Sequence, residues 1–201
     1  MEQVSALVSL ILASIVVMGS PGPSTMSVTA VGAAFGFRRS LAYVSGIILG
    51  TTAVLVAVAA GLVALLMSLP RLAPALLAAS AAYIAYLAFK IATAPPLSEP
   101  DRAASAPSFT GGFLLGVANP KAYLAIAAVF AGTTLAIESR LIEAMLKATI
   151  LTIMIVVIHF CWLTAGVSLS RLLRHPVGSR IINILFAAVL MITTIMAIVR
   201  N

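Results

Sequence analysis

The sequence contains six apolar runs, each long enough to form a helix that crosses a membrane. They cover approximately residues 4–26, 40–66, 72–92, 109–132, 145–169 and 180–199. A helix needs roughly 20 apolar residues to span the hydrocarbon core of a bilayer. The chain is 62% hydrophobic and only 8% charged, whereas a soluble domain carries about 25% charged residues. The pattern therefore predicts an all-α polytopic membrane protein with six transmembrane helices.

One segment divides the six runs into two groups of three. Residues 93–108, "TAPPLSEPDRAASAPS", contain prolines and acids that cannot continue a membrane helix. We therefore predict a single transmembrane domain over residues 1–201, with half-repeats at about 1–92 and 109–201 and a linker at 93–108. Three spans in each half give the second half the opposite topology to the first, and inverted repeats of this kind are common in transporters.

The basic residues predict the orientation of the spans. Of the 12 Lys and Arg residues, seven fall on one side of a six-span chain, four fall on the other, and Lys121 lies within a span. The larger group consists of Arg38, Arg39, Lys90, Arg102, Arg171, Arg174 and Arg180. The smaller group consists of Arg71, Arg140, Lys147 and Arg200. Because cytoplasmic loops are enriched in Lys and Arg, we expect both termini outside the cytoplasm.

The distribution of basic residues also bears on partners. They lie between the apolar runs and do not form a stripe interleaved with aromatic residues, so we expect no nucleic-acid partner despite the net charge of +7. We expect contact with membrane lipid, including anionic lipid head groups near the basic residues at 171–180.

Helix-breaking motifs interrupt the first run and the fourth. The first contains "GSPGPST" (19–25) with Pro21, Gly22 and Pro23, and the fourth contains "GVANPKAYL" (116–124) with Asn119 and Pro120. Proline lacks the backbone N–H of a helix interior, and glycine weakens helical order. Interruptions at matching positions of two halves are the best sequence indication of a transporter's substrate site. The alternative is that the prolines only kink the helices.

A broken membrane helix leaves backbone N–H and C=O groups that lipid cannot satisfy. Such groups are tolerated where protein covers them or where they line a watery cavity. There the N–H ends favour a carboxylate and the C=O ends favour an ammonium group. A zwitterionic amino acid carries both groups, which makes it a natural ligand for paired breaks.

Lys121 directly follows the second break. An ionisable side chain at membrane depth is costly and is by default a candidate functional residue. Lys121 is predicted either to act within the site, by binding a substrate carboxylate or by changing its charge during the cycle, or to extend its ammonium group to the membrane interface. Both interpretations are open from the sequence.

These motifs resemble the LysE/RhtB family of amino-acid exporters. The resemblance rests on Pro21–Gly22–Pro23, Gly46-x-x-x-Gly50, "AAYIAYLAFK" (81–90) and "GGFLLGVANPKAYL" (111–124). It implies a multi-pass protein of the bacterial inner membrane, with periplasmic termini, that exports a small amino acid or amino-acid derivative using an ion gradient. Export of a different small solute or of a cation on the same fold is the alternative. A homodimer is compatible with the sequence, although no feature requires one.

The predicted substrate site combines the two breaks with residues near them. It consists of Pro21, Gly22, Pro23, Gly46, Gly50, Tyr86, Asn119, Pro120 and Lys121. Gly46 and Gly50 are also explained by close helix packing, and Tyr86 by anchoring at a membrane interface.

The coupling ion is either a proton or sodium. All five acidic residues lie in or near loops, so the titratable candidates within spans are Lys121 and His159. Histidine changes charge near neutral pH, although a lone buried histidine more often forms a hydrogen bond between helices.

The sequence argues against an enzyme. Cys161 is the only cysteine, which excludes a thiol–disulfide pair within the chain. His159 and His175 do not belong to an HExxH motif, and no phosphate-binding GxxxxGK[ST] loop is present. We expect no cofactor and no metal, because hard cations prefer carboxylates and none lies within a predicted span.

Overall fold

The computed structural model describes residues 2–61, 106–135 and 137–199, together with positions 82, 85, 86, 89, 92 and 93. The helical elements of these ranges are α1 (Glu2–Ala13), a π-helical turn (Ser14–Met18), α2 (Pro23–Ala59), α3 (Phe109–Ala118), α4 (Pro120–Ala131), α5 (Arg140–Arg174) and α6 (Pro176–Val199). The all-α prediction is confirmed for this part of the chain. Most of the predicted third span (72–92) and of the linker (93–108) lies outside the described residues.

Two of the described helices are long and apolar enough to cross a membrane. They are Pro23–Ala59 and the part of α5 from Arg140 to Ser170. Helices α3 and α4 add a third span when they are taken as one, and they bend by 59° at the residue between them. These helices support a membrane protein, and the arrangement of six spans as inverted repeats stays a prediction.

The first predicted run, 4–26, does not form one helix. The π-helical turn ends at Met18, and α2 begins only at Pro23. Gly19 closes the turn by donating its N–H to the carbonyl of Ser14 at 3.1 Å. Proline suits the first position of a helix because its missing N–H has no partner there in any case. The predicted break in the first run is therefore confirmed.

Residues 27–39, between the first two predicted runs, are helical apart from a kink at Gly36. Gly36 has φ 74° and ψ 174°, a conformation that is essentially restricted to glycine. The helix resumes directly after it, and the fully buried Ser40 donates its hydroxyl to the carbonyl of Gly36 at 2.6 Å. Helix α2 thus consists of two arms, residues 23–35 and 37–59. Its end at Ala59 precedes the predicted end at 66, because Gly61 takes a positive φ of 78°.

Helices α5 and α6 are longer than the spans 145–169 and 180–199 predicted from hydropathy. The segment between these two predicted spans, residues 170–179, is helical except at His175. Pro176 begins α6 at its first position, and the N–H of Ser179 donates to the carbonyl of His175 at 2.8 Å. The charged residues of this segment marked the limit of the apolar run but do not interrupt the helix.

A seam of four glycines packs α2 against α3. A Cβ at Gly46 would lie 2.0 Å from the carbonyl oxygen of Phe109, and one at Gly50 would lie 2.4 Å from that of Phe113. On the other side of the seam, a Cβ at Gly112 would lie 2.1 Å from the carbonyl oxygen of Tyr43. Since any side chain would separate the two backbones, Gly46 and Gly50 have a packing role. The fourth glycine of the seam is Gly116.

An ion pair between a buried lysine and a partly exposed glutamate holds the end of α4. Lys147 and Glu143 lie one turn apart on α5, with 2.8 Å between Nζ and Oε1. The ammonium group also donates to the carbonyl of Phe130 at 3.1 Å, and the carboxylate accepts the N–H of Leu135 at 3.0 Å. Lys147 is only 7% exposed. Lys147 therefore stabilises the packing of α4 on α5, in addition to being one of the basic residues used above to predict the orientation of the spans.

Candidate functional site between the two helix breaks

The two helix breaks contact each other directly. The side-chain amide of Asn119 donates from Nδ2 to Oγ of Ser24 at 2.9 Å. The other amide atom, Oδ1, accepts the backbone N–H of Lys121 at 3.2 Å and so caps the start of α4. Asn119 is 5% exposed and Ser24 is 4% exposed. One buried amide thus joins the start of α4 to the start of α2.

Lys121 reaches across to the first break. Its Nζ donates to the carbonyl oxygen of Pro21 at 3.0 Å and also to the carbonyl oxygen of Ser20. Gly22 leaves room for this side chain, since a Cβ there would lie 2.6 Å from Cδ of Lys121. Of the two interpretations of Lys121, the geometry favours a position between the breaks.

Side chains from elsewhere satisfy other backbone groups of the first break. The indole Nε1 of Trp162, on α5, donates to the carbonyl of Gly19 at 3.0 Å. The N–H of Gly22 donates to Oγ1 of Thr25 at 2.8 Å. The carbonyls of residues 19–21 and this N–H therefore bind the chain's own side chains in this conformation, whereas we expected them to face the substrate. The physical reason is that unsatisfied backbone groups are costly at membrane depth.

A small cavity of about 40 Å³ lies beside the joined breaks. Its polar lining consists of Gly22, Ser24, Thr25, Thr51, Asn119, Lys121 and His159, and its apolar lining of Met18, Ala122, Ala125, Ile126, Ile155 and Ile158. A water molecule needs roughly 10–15 Å³ by this measure, so the cavity has room for a few waters. Ligand sites are usually about 300–1,000 Å³. The cavity must therefore enlarge before an organic molecule enters.

Two buried polar atoms at this cavity are unsatisfied. Among the described residues, Oγ1 of Thr51 and Nε2 of His159 are the buried side-chain nitrogen and oxygen atoms that lack a hydrogen-bond partner. Thr51 is 5% exposed and His159 is 4% exposed. The other ring nitrogen of His159, Nδ1, lies 2.7 Å from the carbonyl oxygen of Ile155 on its own helix. The expected hydrogen bond of His159 to another helix is thus replaced by one within α5.

The structure brings together part of the set predicted from sequence. Gly22, Asn119, Lys121 and His159 line the cavity. Pro21 contributes a carbonyl acceptor to Lys121, while Pro23 and Pro120 begin α2 and α4. Gly46 and Gly50 lie in the α2–α3 seam. Tyr86 is 56% exposed and is not among the residues that line the cavity.

Sequence reasoning missed four polar contributors to this region, namely Ser24, Thr25, Thr51 and Trp162. Trp162 lies three residues after His159 on α5. Residues at that spacing share a helix face, so the pair could have indicated a common polar environment. Ser24 and Thr51 carried no such signal, because hydroxyl side chains are common in membrane helices.

Comparisons with known proteins agree with the architecture. The family described as "LysE type translocator" matches residues 15–200. The chain belongs to this family. It is also 31% identical, over 173 residues, to proteins named "Cysteine/O-acetylserine efflux protein" from Salmonella choleraesuis (strain SC-B67) and Salmonella typhi. The alignment covers 85% of this chain and 86% of each relative.

The chain matches no solved structure. LysE-type proteins are transporters, and family membership together with the apolar helices identifies a membrane-embedded transport protein of the bacterial inner membrane. The resemblance seen in the proline motifs is thereby confirmed.

Proposed function

We propose that the chain exports a small amino acid or amino-acid derivative from the cytoplasm, driven by an ion gradient. The observation that carries the proposal is the contact between the two breaks, where the Lys121 ammonium group, the Asn119 amide and the cavity meet. The efflux of cysteine and O-acetylserine named for the relatives makes small polar amino acids the first candidates.

The site supplies a positive charge for a substrate carboxylate. Lys121 binds neutral carbonyl oxygens here, and it carries no carboxylate partner among the described residues. An arriving carboxylate forms a charge-assisted hydrogen bond with the ammonium group, and such bonds are stronger than those to neutral acceptors. We therefore assign Lys121 to the substrate carboxylate, with Pro21, Gly22, Pro23, Asn119 and Pro120 shaping the site around it.

The transport cycle follows from the closed cavity. Two inverted halves, with both termini in the periplasm, rock about the joined breaks and open the cavity to each side in turn. Because α2 belongs to the first half and α3 to the second, the glycine seam of Gly46 and Gly50 is a close contact between the halves, about which they pivot during this motion. Lys121 and His159 are the candidates for coupling to the ion, which is a proton or sodium.

Efflux measurements test the proposal. Cells that produce the protein are preloaded with radiolabelled L-cysteine, O-acetyl-L-serine, L-serine or L-lysine, and the rate of label release is compared with cells that carry an empty vector. We expect faster release of at least one neutral amino acid. A protonophore or the omission of sodium then identifies the coupling ion, since only dissipation of the coupling gradient stops efflux.

The site is tested with Lys121→Met, which keeps the apolar stem and removes the charge. We expect efflux to fall at least about tenfold at equal membrane abundance, the effect of losing one charged hydrogen bond. Arg140→Met, at the exposed start of α5, serves as the matched control and keeps the wild-type rate. Unchanged efflux in Lys121→Met removes Lys121 from the site, and absence of efflux for every amino acid contradicts the function.

A further inference from the structure

Thr51 differs from other threonines of the long helices. Thr149, Thr152 and Thr164 each donate their hydroxyl to the carbonyl four residues earlier, at 2.8–3.0 Å, which is the usual arrangement for threonine in a helix. The hydroxyl of Thr51 forms no hydrogen bond within the described part of the chain, although it is buried at the cavity. Burying an unsatisfied hydroxyl is unfavourable, so it indicates a partner outside the protein.

His159 offers an acceptor at the same cavity. A carbonyl oxygen can only accept a hydrogen bond, so Nδ1 must carry the proton that it donates to Ile155. In the neutral ring Nε2 then holds a lone pair and accepts. The group that satisfies Nε2 must therefore donate a hydrogen bond, as an ammonium group, a hydroxyl group or a water molecule does.

The remaining polar side chains of the cavity are already engaged. Oγ of Ser24 accepts from Asn119, and Oγ1 of Thr25 accepts from Gly22. Oδ1 of Asn119 accepts from the N–H of Lys121. The carbonyls of Ser20 and Pro21, the natural acceptors for an ammonium group, are occupied by Lys121.

We propose that Thr51 Oγ1 and His159 Nε2 bind the α-ammonium group of the transported amino acid while Lys121 holds its carboxylate. The proposal rests on the proposed function and adds an orientation to it. It makes Thr51 and His159 the residues that distinguish an amino acid from a carboxylic acid of the same shape. Two long helices, α2 and α5, contribute one acceptor each, so the bound ammonium group bridges them.

Inside-out membrane vesicles test this orientation, because export appears there as uptake of label. The probe is radiolabelled L-cysteine, and the competitors are unlabelled L-cysteine and mercaptopropionate, which is cysteine without its amino group. For the wild type we expect the concentration of mercaptopropionate that halves uptake to be at least about tenfold higher than the concentration of L-cysteine that does so.

The variants remove one acceptor at a time. Thr51→Val deletes the hydroxyl with little change of shape. His159→Asn keeps a donor to Ile155 but has no atom at the position of Nε2, whereas His159→Gln restores a polar atom there. The quantity compared is the half-inhibiting concentration of mercaptopropionate divided by that of L-cysteine. We expect this ratio to fall from about tenfold to about threefold or less in Thr51→Val and His159→Asn. We expect it to recover in part in His159→Gln and to persist in the control Thr164→Val.

The outcomes separate this inference from the proposed function. If wild-type vesicles take up L-cysteine and both Thr51→Val and His159→Asn keep the wild-type ratio, the two atoms bind only water and the orientation is wrong. If wild-type vesicles take up none of L-cysteine, O-acetyl-L-serine, L-serine and L-lysine, the proposed function fails, and the ammonium site fails with it.

Discussion

Asn119 and Ser24 join the two helix breaks of the molecule, with 2.9 Å between Nδ2 and Oγ across 95 positions of sequence. Each residue stands at the start of a helix that a proline begins. The bond therefore fixes how the start of α4 faces the start of α2, and the cavity forms beside it.

Removal of the Asn119 side chain destabilises the protein more than removal of the Ser24 hydroxyl. Asn119→Ala deletes both the bond to Ser24 and the cap of α4, and we expect it to lower the free energy of unfolding by about 1–3 kcal/mol. Ser24→Ala deletes only the bond between the breaks, which costs about 0.5–1.5 kcal/mol. Thermal unfolding of the detergent-purified protein, followed by size-exclusion chromatography after heating, measures the order of the variants.

The double variant Asn119→Ala/Ser24→Ala provides the control for this pair. Because the two residues share one hydrogen bond, its destabilisation is expected to be smaller than the sum of the single effects. Strict additivity would show that the bond contributes nothing to stability.

The glycine seam predicts opposite outcomes for two adjacent residues. Gly112→Ala places a Cβ 2.1 Å from the carbonyl oxygen of Tyr43, so the helices must separate at a cost of about 1–3 kcal/mol. At Gly111 the nearest atom is Oγ of Ser108 at 3.5 Å, an ordinary contact. Gly111→Ala is therefore neutral or slightly stabilising, since alanine favours a helix. The same heating assay compares the two variants, and equal melting temperatures would contradict the seam.

Replacing one member of the Glu143–Lys147 ion pair is expected to lower the melting temperature more than replacing both. Glu143→Gln leaves the buried ammonium group of Lys147 without its carboxylate, and a buried charge that loses its partner is destabilising. In Glu143→Gln/Lys147→Met no unpaired charge is left, so we expect its melting temperature to lie above that of Glu143→Gln. Arg140→Met, at the exposed start of the same helix, leaves the melting temperature unchanged. A double variant that melts below the single one would exclude this explanation.

Trp162 provides an optical signal for substrate binding. It is the only tryptophan in the chain, and its indole nitrogen donates to Gly19 at the first break. We expect the exported amino acid to change the tryptophan emission of purified protein in a saturable manner, because opening of the cavity alters this hydrogen bond. A fluorescence titration measures the effect, and Lys121→Met serves as the non-binding control. An emission change of the same size in Lys121→Met would mean that the signal does not report the site.

Local chemistry made several features of the fold predictable. Proline has no N–H and glycine tolerates unusual backbone angles, so the breaks at residues 19–23 and 119–120 could be located without neighbours. Hydropathy likewise located the runs that became the second arm of α2, most of α5 and the bent α3–α4 pair. It failed at residues 36–40 and 170–180, where charged residues ended the apolar run although the backbone is helical apart from a kink at Gly36 and a break at His175. A charged side chain indicates a polar environment around it and does not by itself end a helix.

By itself the sequence determined that this chain is helical, lies in a membrane and breaks two of its helices, since each of these properties depends on composition or on residues within about one helical turn. Only the tertiary structure decided which groups meet at the breaks. Lys121 binds the carbonyls of Ser20 and Pro21, and Trp162 binds that of Gly19, across more than 90 positions of sequence. Such partners are chosen by helix packing, which brings distant donors within about 3 Å of their acceptors. The same packing left Thr51 and His159 without partners beside the cavity.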